Sequence, residues 1–195
     1  MIKDYELDKP TLETQRLILR PMTAEDAPDL KEWLGLDEVY TYWGRKASKG
    51  EKNPELYFID PRPWVKRKPC QDFKWGMVLR ETGKVIGILE IFDIQNQRMA
   101  YVGYRLHPAY WRQGLVTEAL RCAVDFVYAN TELMRLEATA DVKNIASLRV
   151  LEKCSFVREG TVRQGKMGSR YCDYAIFGML REDWEGLHAP QGSPV

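Results

Sequence analysis

From residue 73 onward, apolar and polar positions alternate with two distinct periods. Residues 73–80 and 85–92 read as strands on either side of a Glu81-Thr82-Gly83-Lys84 turn. The second is nearly continuous in Val85, Ile86, Ile88, Leu89 and Ile91, the pattern of a strand buried on both faces. Residues 99–106 alternate, with Val102, Tyr104 and Leu106 opposite Tyr101, Gly103 and Arg105. Gly103 inside that run predicts a bulge or a close approach of backbone. Pro108 ends the strand, and after Gly114 the period becomes helical: Val116, Ala119, Leu120, Ala123 and Val127 recur on one face to about Tyr128. Leu136, Ala138 and Ala140 mark a further strand, and Asn144 caps a second helix carrying Ile145, Leu148 and Leu151. Residues 156–163 and 171–180 form an antiparallel pair joined by the turn-rich residues 164–169.

The N-terminal third is less regular. Residues 14–21 read as a first strand on Leu17, Ile18 and Leu19, and Thr23 is an N-cap for a helix opening Ala24-Glu25-Asp26. Acidic residues in that first turn suit the positive end of the helix dipole. Residues 36–72 carry Tyr40, Tyr42, Trp43, Tyr57, Phe58 and Trp64, are broken by Pro54, Pro61, Pro63 and Pro69, and hold the basic run Lys66-Arg67-Lys68. They are expected to form an irregular excursion with one short helix. No repeat or Gly/Ser linker divides the chain, so one domain over residues 1–195 is expected. The order strand, strand, strand, helix, strand, helix, strand, strand predicts an α/β (mixed α+β) fold, a mixed sheet with helices packed on it.

Composition narrows the partners. The chain has 195 residues, 45% apolar and 29% charged, the make-up of one globular domain. Lys+Arg 29 against Asp+Glu 28 gives a net charge of +1, which offers no general attraction to nucleic acid. No apolar run approaches the roughly 18 residues of a membrane span, and the opening MIKDYELDKP lacks the apolar core of a secretory signal. Cys70, Cys122, Cys154 and Cys172 form no CxxC pair, and with His107 and His188 as the sole histidines no metal site of ordinary spacing is expected. Reduced thiols in a cytoplasmic protein are the simplest expectation.

The chemistry concentrates in YRLHPAYWRQGLVTEAL, residues 104–120, where a strand ends at a proline and a helix starts after a turn containing Gly114. The first N–H groups of a helix lack internal partners and lie at the positive end of its dipole, so such a turn suits a pyrophosphate. Arg112 adds a charge and Thr117 a hydroxyl. A tight turn with no ligand fits the same residues. Neither the dinucleotide GxGxxG nor the Walker GxxxxGK[ST] spacing occurs.

Together with Asn144-Ile-Ala-Ser147, Glu152-Lys153-Cys-Ser-Phe156 and Glu159-Gly160, this stretch resembles the GNAT acetyltransferase superfamily, in particular its ribosomal-protein and N-terminal-amine branch. The resemblance runs from the LETQRLILRPM that begins at Leu12 to Asp183-Trp184. It implies a mostly antiparallel mixed sheet with one splayed parallel strand pair, acetyl-CoA as co-substrate and no metal. The implied cofactor-binding residues are Tyr104, Leu106, Arg112, Gln113, Gly114, Leu115, Val116, Thr117, Asn144 and Ser147. Trp111 stands where the family often has Gln or Arg, Arg112 where a further Gly often lies, and Val116 where Gly or Ala is usual. Ordinary φ/ψ at Arg112 and Val116 would leave the main-chain donors in place. The pantetheine arm would lie between residues 101–107 and 136–140, with a bulge near Gly103 opening the gap. A freed N–H near Tyr104 to Leu106 would then act as oxyanion donor.

In such enzymes the amine attacks the thioester directly. Glu90 is the nearest carboxylate for a general base; alternatively it is a strand charge facing solvent or pairing with Arg105. The usual acid, a Tyr in the second helix, is replaced by the stretch holding Leu148 and Leu151, and in the N-terminal-amine branch Ser147 takes its place near the thiolate. Asn144 would meet the pantetheine amide, or Asn144 and Ser147 only cap the helix. Residues 36–72 lie where relatives place substrate-facing elements, as an aromatic mouth for a cationic amine or as packing. The Lys66–Lys68 run is a solvated surface or a contact for the 3′-phosphate of CoA or an acidic partner. Cys122 and Cys154 read as small buried hydrophobes, Cys154 alternatively as a reactive thiol, and His107 as structural. The expected function is acetyl transfer from acetyl-CoA to a primary amine, foremost a protein or peptide N-terminus. A small amine (polyamine, aminoglycoside or amino acid) and a non-catalytic acyl-CoA-binding module are the alternatives. The expected partners are acetyl-CoA and the amine acceptor, with no nucleic acid and no membrane; a homodimer is left open.

Overall fold

A hairpin of two short strands, β1 (Leu12–Glu13) and β2 (Leu17–Arg20), begins the sheet, its turn closed by Thr14 N–H donating to Leu17 O at 2.9 Å. The strand expected over residues 14–21 is therefore confined to 17–20, with residues 14–16 making the turn and β1 lying before it. The computed structural model describes residues 10–55, 72–96 and 98–189. After β2, a 3-10 turn (Ala24–Asp26) runs into α1 (Ala27–Lys31). Asp26 accepts the Thr23 N–H at 2.8 Å and pairs with Arg20, which fixes the helix entry. Of the excursion, a 3-10 turn (Asp37–Tyr40) and α2 (Lys49–Lys52) are described. Tyr57, Phe58, Trp64, the Lys66–Lys68 run and Cys70 lie outside the described residues.

The remaining elements follow the sequence periods closely. They are β3 (Phe73–Leu79), β4 (Val85–Gln95), β5 (Met99–Leu106), α3 (Leu115–Asn130), β6 (Arg135–Asp141), α4 (Ile145–Lys153), β7 (Val157–Met167) and β8 (Arg170–Leu180). The β7–β8 turn is confined to Gly168 and Ser169. A last helix, α5 (Arg181–His188), was not expected; Asp183 starts it by accepting the Leu180 N–H at 2.9 Å.

The eight strands form one sheet in the order β1-β2-β3-β4-β5-β6-β8-β7. Every neighbouring pair is antiparallel except β5–β6. One face packs against α3, whose Leu120 and Val127 share one buried cluster with Trp75, Leu89 and Ile91. The other is covered by Leu30, Trp33, Leu34 and Tyr40 over Val78, Val85 and Ile88. Strand β4 is thus buried on both faces, as its continuous apolar run requires. Leu120 has no exposed surface, so its truncation to Ala would cost about 2–5 kcal/mol.

The parallel pair matters most for the site. β5 and β6 pair only from Met99↔Arg135 to Tyr101↔Glu137, and beyond that the strands part. Each wall of the gap is held from outside: β5 by β4 through Gly87↔Leu106, and β6 by β8 through Asp141↔Tyr174. The bulge expected near Gly103 is absent. The β4–β5 register runs unbroken past it, and the irregularity lies between Phe92 and Gln95, where Asp93 takes φ 52°. Divergence of the two strands, rather than a bulge, opens the gap. Gly103 serves a close approach instead: a Cβ there would lie 3.1 Å from the Phe92 ring and 3.6 Å from Trp43.

Candidate active site

The phase of the β4–β5 ladder decides which amides face the gap. His107 N–H donates to Ile86 O at 2.8 Å. Antiparallel strands alternate, so Arg105 and Gly103 also bond to β4, while Tyr104 and Leu106 turn their N–H and C=O the other way. An independent contact agrees: the Leu106 carbonyl accepts the Trp111 indole N–H at 2.8 Å. The N–H groups of Tyr104 and Leu106 therefore point into the space that β6 has left. Trp111 has a role of its own, tying the turn that follows to the end of β5.

In that turn Gly114 is the N-cap of α3, with φ 76° and ψ 4°. Arg112 also takes a left-handed conformation, φ 62°, contrary to the ordinary geometry expected for it. The fold demands there a backbone that glycine adopts without strain. The backbone bonds of α3 begin with Glu118 N–H donating to Gly114 O at 3.1 Å. Ahead of it, no acceptor among the described residues meets the N–H groups of Arg112, Gln113, Gly114, Leu115, Val116 and Thr117. Such an array at the positive end of a 16-residue helix suits a diphosphate.

The nearest fixed cation is Arg16, which sequence reasoning did not single out although it lies within the LETQRLILRPM stretch. Its Nε donates to Glu118 Oε2 at 2.7 Å and its Nη1 to Gln113 O at 2.9 Å. Glu118 also accepts from Thr14 Oγ1 at 2.6 Å and from Arg16 N–H at 2.8 Å. Burial alone would raise the Glu118 carboxyl, but these donors hold it below the usual range. Arg112 is exposed and makes no hydrogen bond or ion pair among the described residues. A groove of about 640 Å³ runs from Gly114 along α3, lined in part by Arg16, Thr117, Arg121 and Lys153.

Across the gap, Asn144 Oδ1 accepts the Ser147 N–H at 3.2 Å, so the helix cap forms as expected. The Ser147 hydroxyl lies 2.7 Å from the Tyr104 phenol oxygen. Cys154 is buried, its Sγ 3.5 Å from Thr117 O, and burial pushes its thiol up to about 11. A thiol so protonated packs as a small apolar group. His107 Nδ1 accepts the Ala109 N–H at 3.1 Å, a local structural contact.

On the opposite face of β5, Glu90 pairs with Lys74 at 2.7 Å and with Arg105 at 3.2 Å. Burial works to raise the Glu90 carboxyl, but Arg105 and Lys74 outweigh it and leave it lowered. The ion-pair alternative read from the sequence is the arrangement found, and it makes Glu90 a weak base. Arg105 in turn bonds Glu51 of α2 at 2.5 Å, and Arg45 holds both Glu51 oxygens at 2.7 and 2.8 Å. The Trp43 ring lies 5.1 Å from the Arg105 guanidinium carbon. Beside it, Gly44 O accepts the Ser169 N–H at 2.8 Å and the Ser169 hydroxyl at 2.5 Å. Trp43 and Gly44 thus form a strap from Gly103 on β5 to the β7–β8 turn, across the parted strands. Among the described residues no group of three or more His, Cys, Asp or Glu is placed to hold a metal, and no helix is long and apolar enough to cross a membrane.

Comparison with known proteins bears on this geometry. Residues 16–157 match the family model described as an acetyltransferase (GNAT) domain. The uncharacterized N-acetyltransferase YoaA of Bacillus subtilis is 31% identical, over 80% of this chain and 87% of its own. Among solved structures, ribosomal-protein-S5-alanine acetyltransferase from Vibrio fischeri superposes with a TM-score of 0.74 at 20% identity, covering 90% of this chain and 98% of that one. Spermidine N-acetyltransferase from Vibrio cholerae, in complex with CoA and spermine, gives 0.70 at 18% identity, covering 88% and 99%. The matched segment contains the parted strands, the turn of unbonded amides and both flanking helices, and the chain belongs to the GNAT family of acetyl-CoA-dependent N-acetyltransferases.

Proposed function

We propose that this N-acetyltransferase acts on the α-amine of a protein or peptide N-terminus. The observation that carries the reading is the charge balance on the face of β5 beneath Trp43. There, among the described residues, Glu90 and Glu51 are each paired with lysine or arginine, through Lys74, Arg105 and Arg45. A polyamine needs unpaired carboxylates spaced along its cations; a single α-amine needs none. The likeness to a ribosomal-protein-S5-alanine acetyltransferase supports the same reading.

In this reading the amides of residues 112–117 and Arg16 take the diphosphate. The pantetheine arm lies between β5 and β6, with Asn144 at its amide, and the N–H groups of Tyr104 and Leu106 polarise the thioester carbonyl. The amine enters from the Gly103 side, under Trp43 and Gly44. Its nitrogen lone pair forms the N–C bond, the C–S bond breaks with its electron pair going to sulfur, and the proton leaving nitrogen passes to water. Ser147 lies on the sulfur side. Glu90, held by two cations, contributes charge more than basicity. Most of the rate comes from holding amine and thioester together, worth roughly 7–11 kcal/mol in favourable cases.

The test measures CoA release with acetyl-CoA and a panel of peptides differing in their first residue, spermidine, an aminoglycoside and free amino acids. A peptide favoured in kcat/KM by tenfold or more supports the proposal. A preference for spermidine or another small amine overturns it, and binding of acetyl-CoA without turnover on any amine points to a binding module.

A further inference from the structure

The second contact of Tyr104 bears on how the thiol leaves. Its main-chain N–H faces the gap, while its side chain packs on the α3 and α4 side of the sheet. The phenol oxygen is 2.7 Å from Ser147 Oγ and 3.4 Å from Ser147 O. The first distance is that of a good O–H···O bond and the second is not. Were Ser147 the donor, the buried phenol proton would be left with the distant carbonyl alone. The economical arrangement has the phenol donating to Ser147 Oγ. Asn144 already anchors the Ser147 N–H, so two contacts fix this residue and its own hydroxyl proton turns away from both. Burial raises the phenol above its ordinary range, which keeps Tyr104 a donor across the working pH.

We propose that Tyr104 is a positioning residue for acetyl transfer: its phenol donates to Ser147 Oγ and so directs the Ser147 hydroxyl proton at the departing sulfur. The α4 tyrosine that this chain lacks is thereby answered from β5, through a serine. One residue serves both ends of the breaking bond, its N–H at the carbonyl oxygen and its phenol, through Ser147, at the sulfur. No proton is transferred along the pair, because sulfur receives a hydrogen bond as the C–S electron pair arrives.

The inference rests on the placement of the thioester proposed above. Steady-state kinetics of Tyr104→Phe, Ser147→Ala and the double variant test it with acetyl-CoA and the best acceptor. Tyr104→Phe should lower kcat about tenfold, the worth of one hydrogen bond, with the KM for acetyl-CoA unchanged. Ser147→Ala should do at least as much, and the double variant no more than Ser147→Ala alone. Wild-type kcat in Tyr104→Phe, or losses that multiply in the double variant, overturns the inference while leaving acetyl transfer itself standing. If Tyr104→Phe does not fold, Ser147→Ala decides: full kcat there overturns it. A wild-type protein inactive on every amine overturns the proposed function first.

Discussion

Arg16 and Glu118 stand 102 residues apart in the chain and meet at 2.7 Å, with the Arg16 N–H bound to the same carboxylate at 2.8 Å. The pair joins the start of β2 to the first turn of α3. It uses Nε and leaves the rest of the guanidinium over the amide turn, with Nη1 on Gln113 O and Nη2 3.7 Å from where a Gly114 Cβ would stand. A cation that sequence reasoning assigned to Arg112 is thus held in place from the other end of the sheet.

Arg16→Gln should raise the KM for acetyl-CoA about tenfold, the worth of one charge-assisted hydrogen bond to a phosphate. The KM for acetyl-pantetheine, which lacks the diphosphate, should not move. Stability should fall by less than about 1 kcal/mol, since Arg16 is 44% exposed. An equal change with both donors would remove Arg16 from the diphosphate site.

Arg112 and Gly114 divide conformation from charge. Arg112→Gly relieves a left-handed φ of 62° and should stabilise the fold by about 1 kcal/mol in thermal or urea unfolding. Gly114→Ala makes only an ordinary contact with Arg16 Nη2 at 3.7 Å but sits at a φ of 76°, so it should cost about 1 kcal/mol. Gly114→Asp adds an anion among the amides and should abolish acetyl-CoA binding in calorimetry. Undiminished affinity in Gly114→Asp would contradict the placement of the diphosphate.

The strands and helices from β3 to α4, and β8, were legible because each buries one face, or both, with a clear period; β7 buries none of its residues, and its second half was read as turn. The amide turn and the Asn144–Ser147 cap were legible because both are local. What escaped were pairings set by tertiary contact. Arg16 with Glu118, Tyr104 with Ser147 and Glu51 with Arg105 are 102, 43 and 54 residues apart. A period says which face a side chain takes, not which partner waits there. The Gly103 bulge was a wrong choice between two physical uses of a strand glycine, and close packing under Phe92 was the one realised. Arg112 shows the limit of propensity: the turn imposes a glycine backbone on a residue that resists it.

The strap offers a test of acceptor entry. A Cβ on Gly44 would lie 1.9 Å from Met167 O, at a φ of 65°, so Gly44→Ala must push the strap off the β7–β8 turn. The KM for the acceptor should rise about tenfold while that for acetyl-CoA, bound from the other side, stays constant. Ser169→Ala removes only the hydroxyl bond to Gly44 O and should give a smaller change of the same kind. If acetyl-CoA KM shifts instead, the strap belongs to the donor side.

The charge cluster under Trp43 predicts a pH dependence. Burial acts to raise the Glu51 carboxyl, but Arg45, the Ser48 N–H and Arg105 outweigh it and bring it down from 4.5 to about 2. A carboxyl lowered in the folded state stabilises the fold above its unfolded value, and that stability is lost as pH falls through the folded one. The window is therefore about pH 4.5 down to 2. The side chain is only 5% exposed, so little is lost to solvent screening, and the shift corresponds to about 3 kcal/mol at neutral pH. Glu51→Gln should cost about that much at pH 7, where it leaves the buried Arg105 charge to Glu90 alone and Arg45 without its partner. Near pH 3 the difference between wild type and variant should shrink to about half, because there the unfolded chain's carboxyl is already protonated while the folded one, at about 2, stays ionised. Urea unfolding at the two pH values measures this, and a difference that stays constant would place the stabilising charge elsewhere than Glu51.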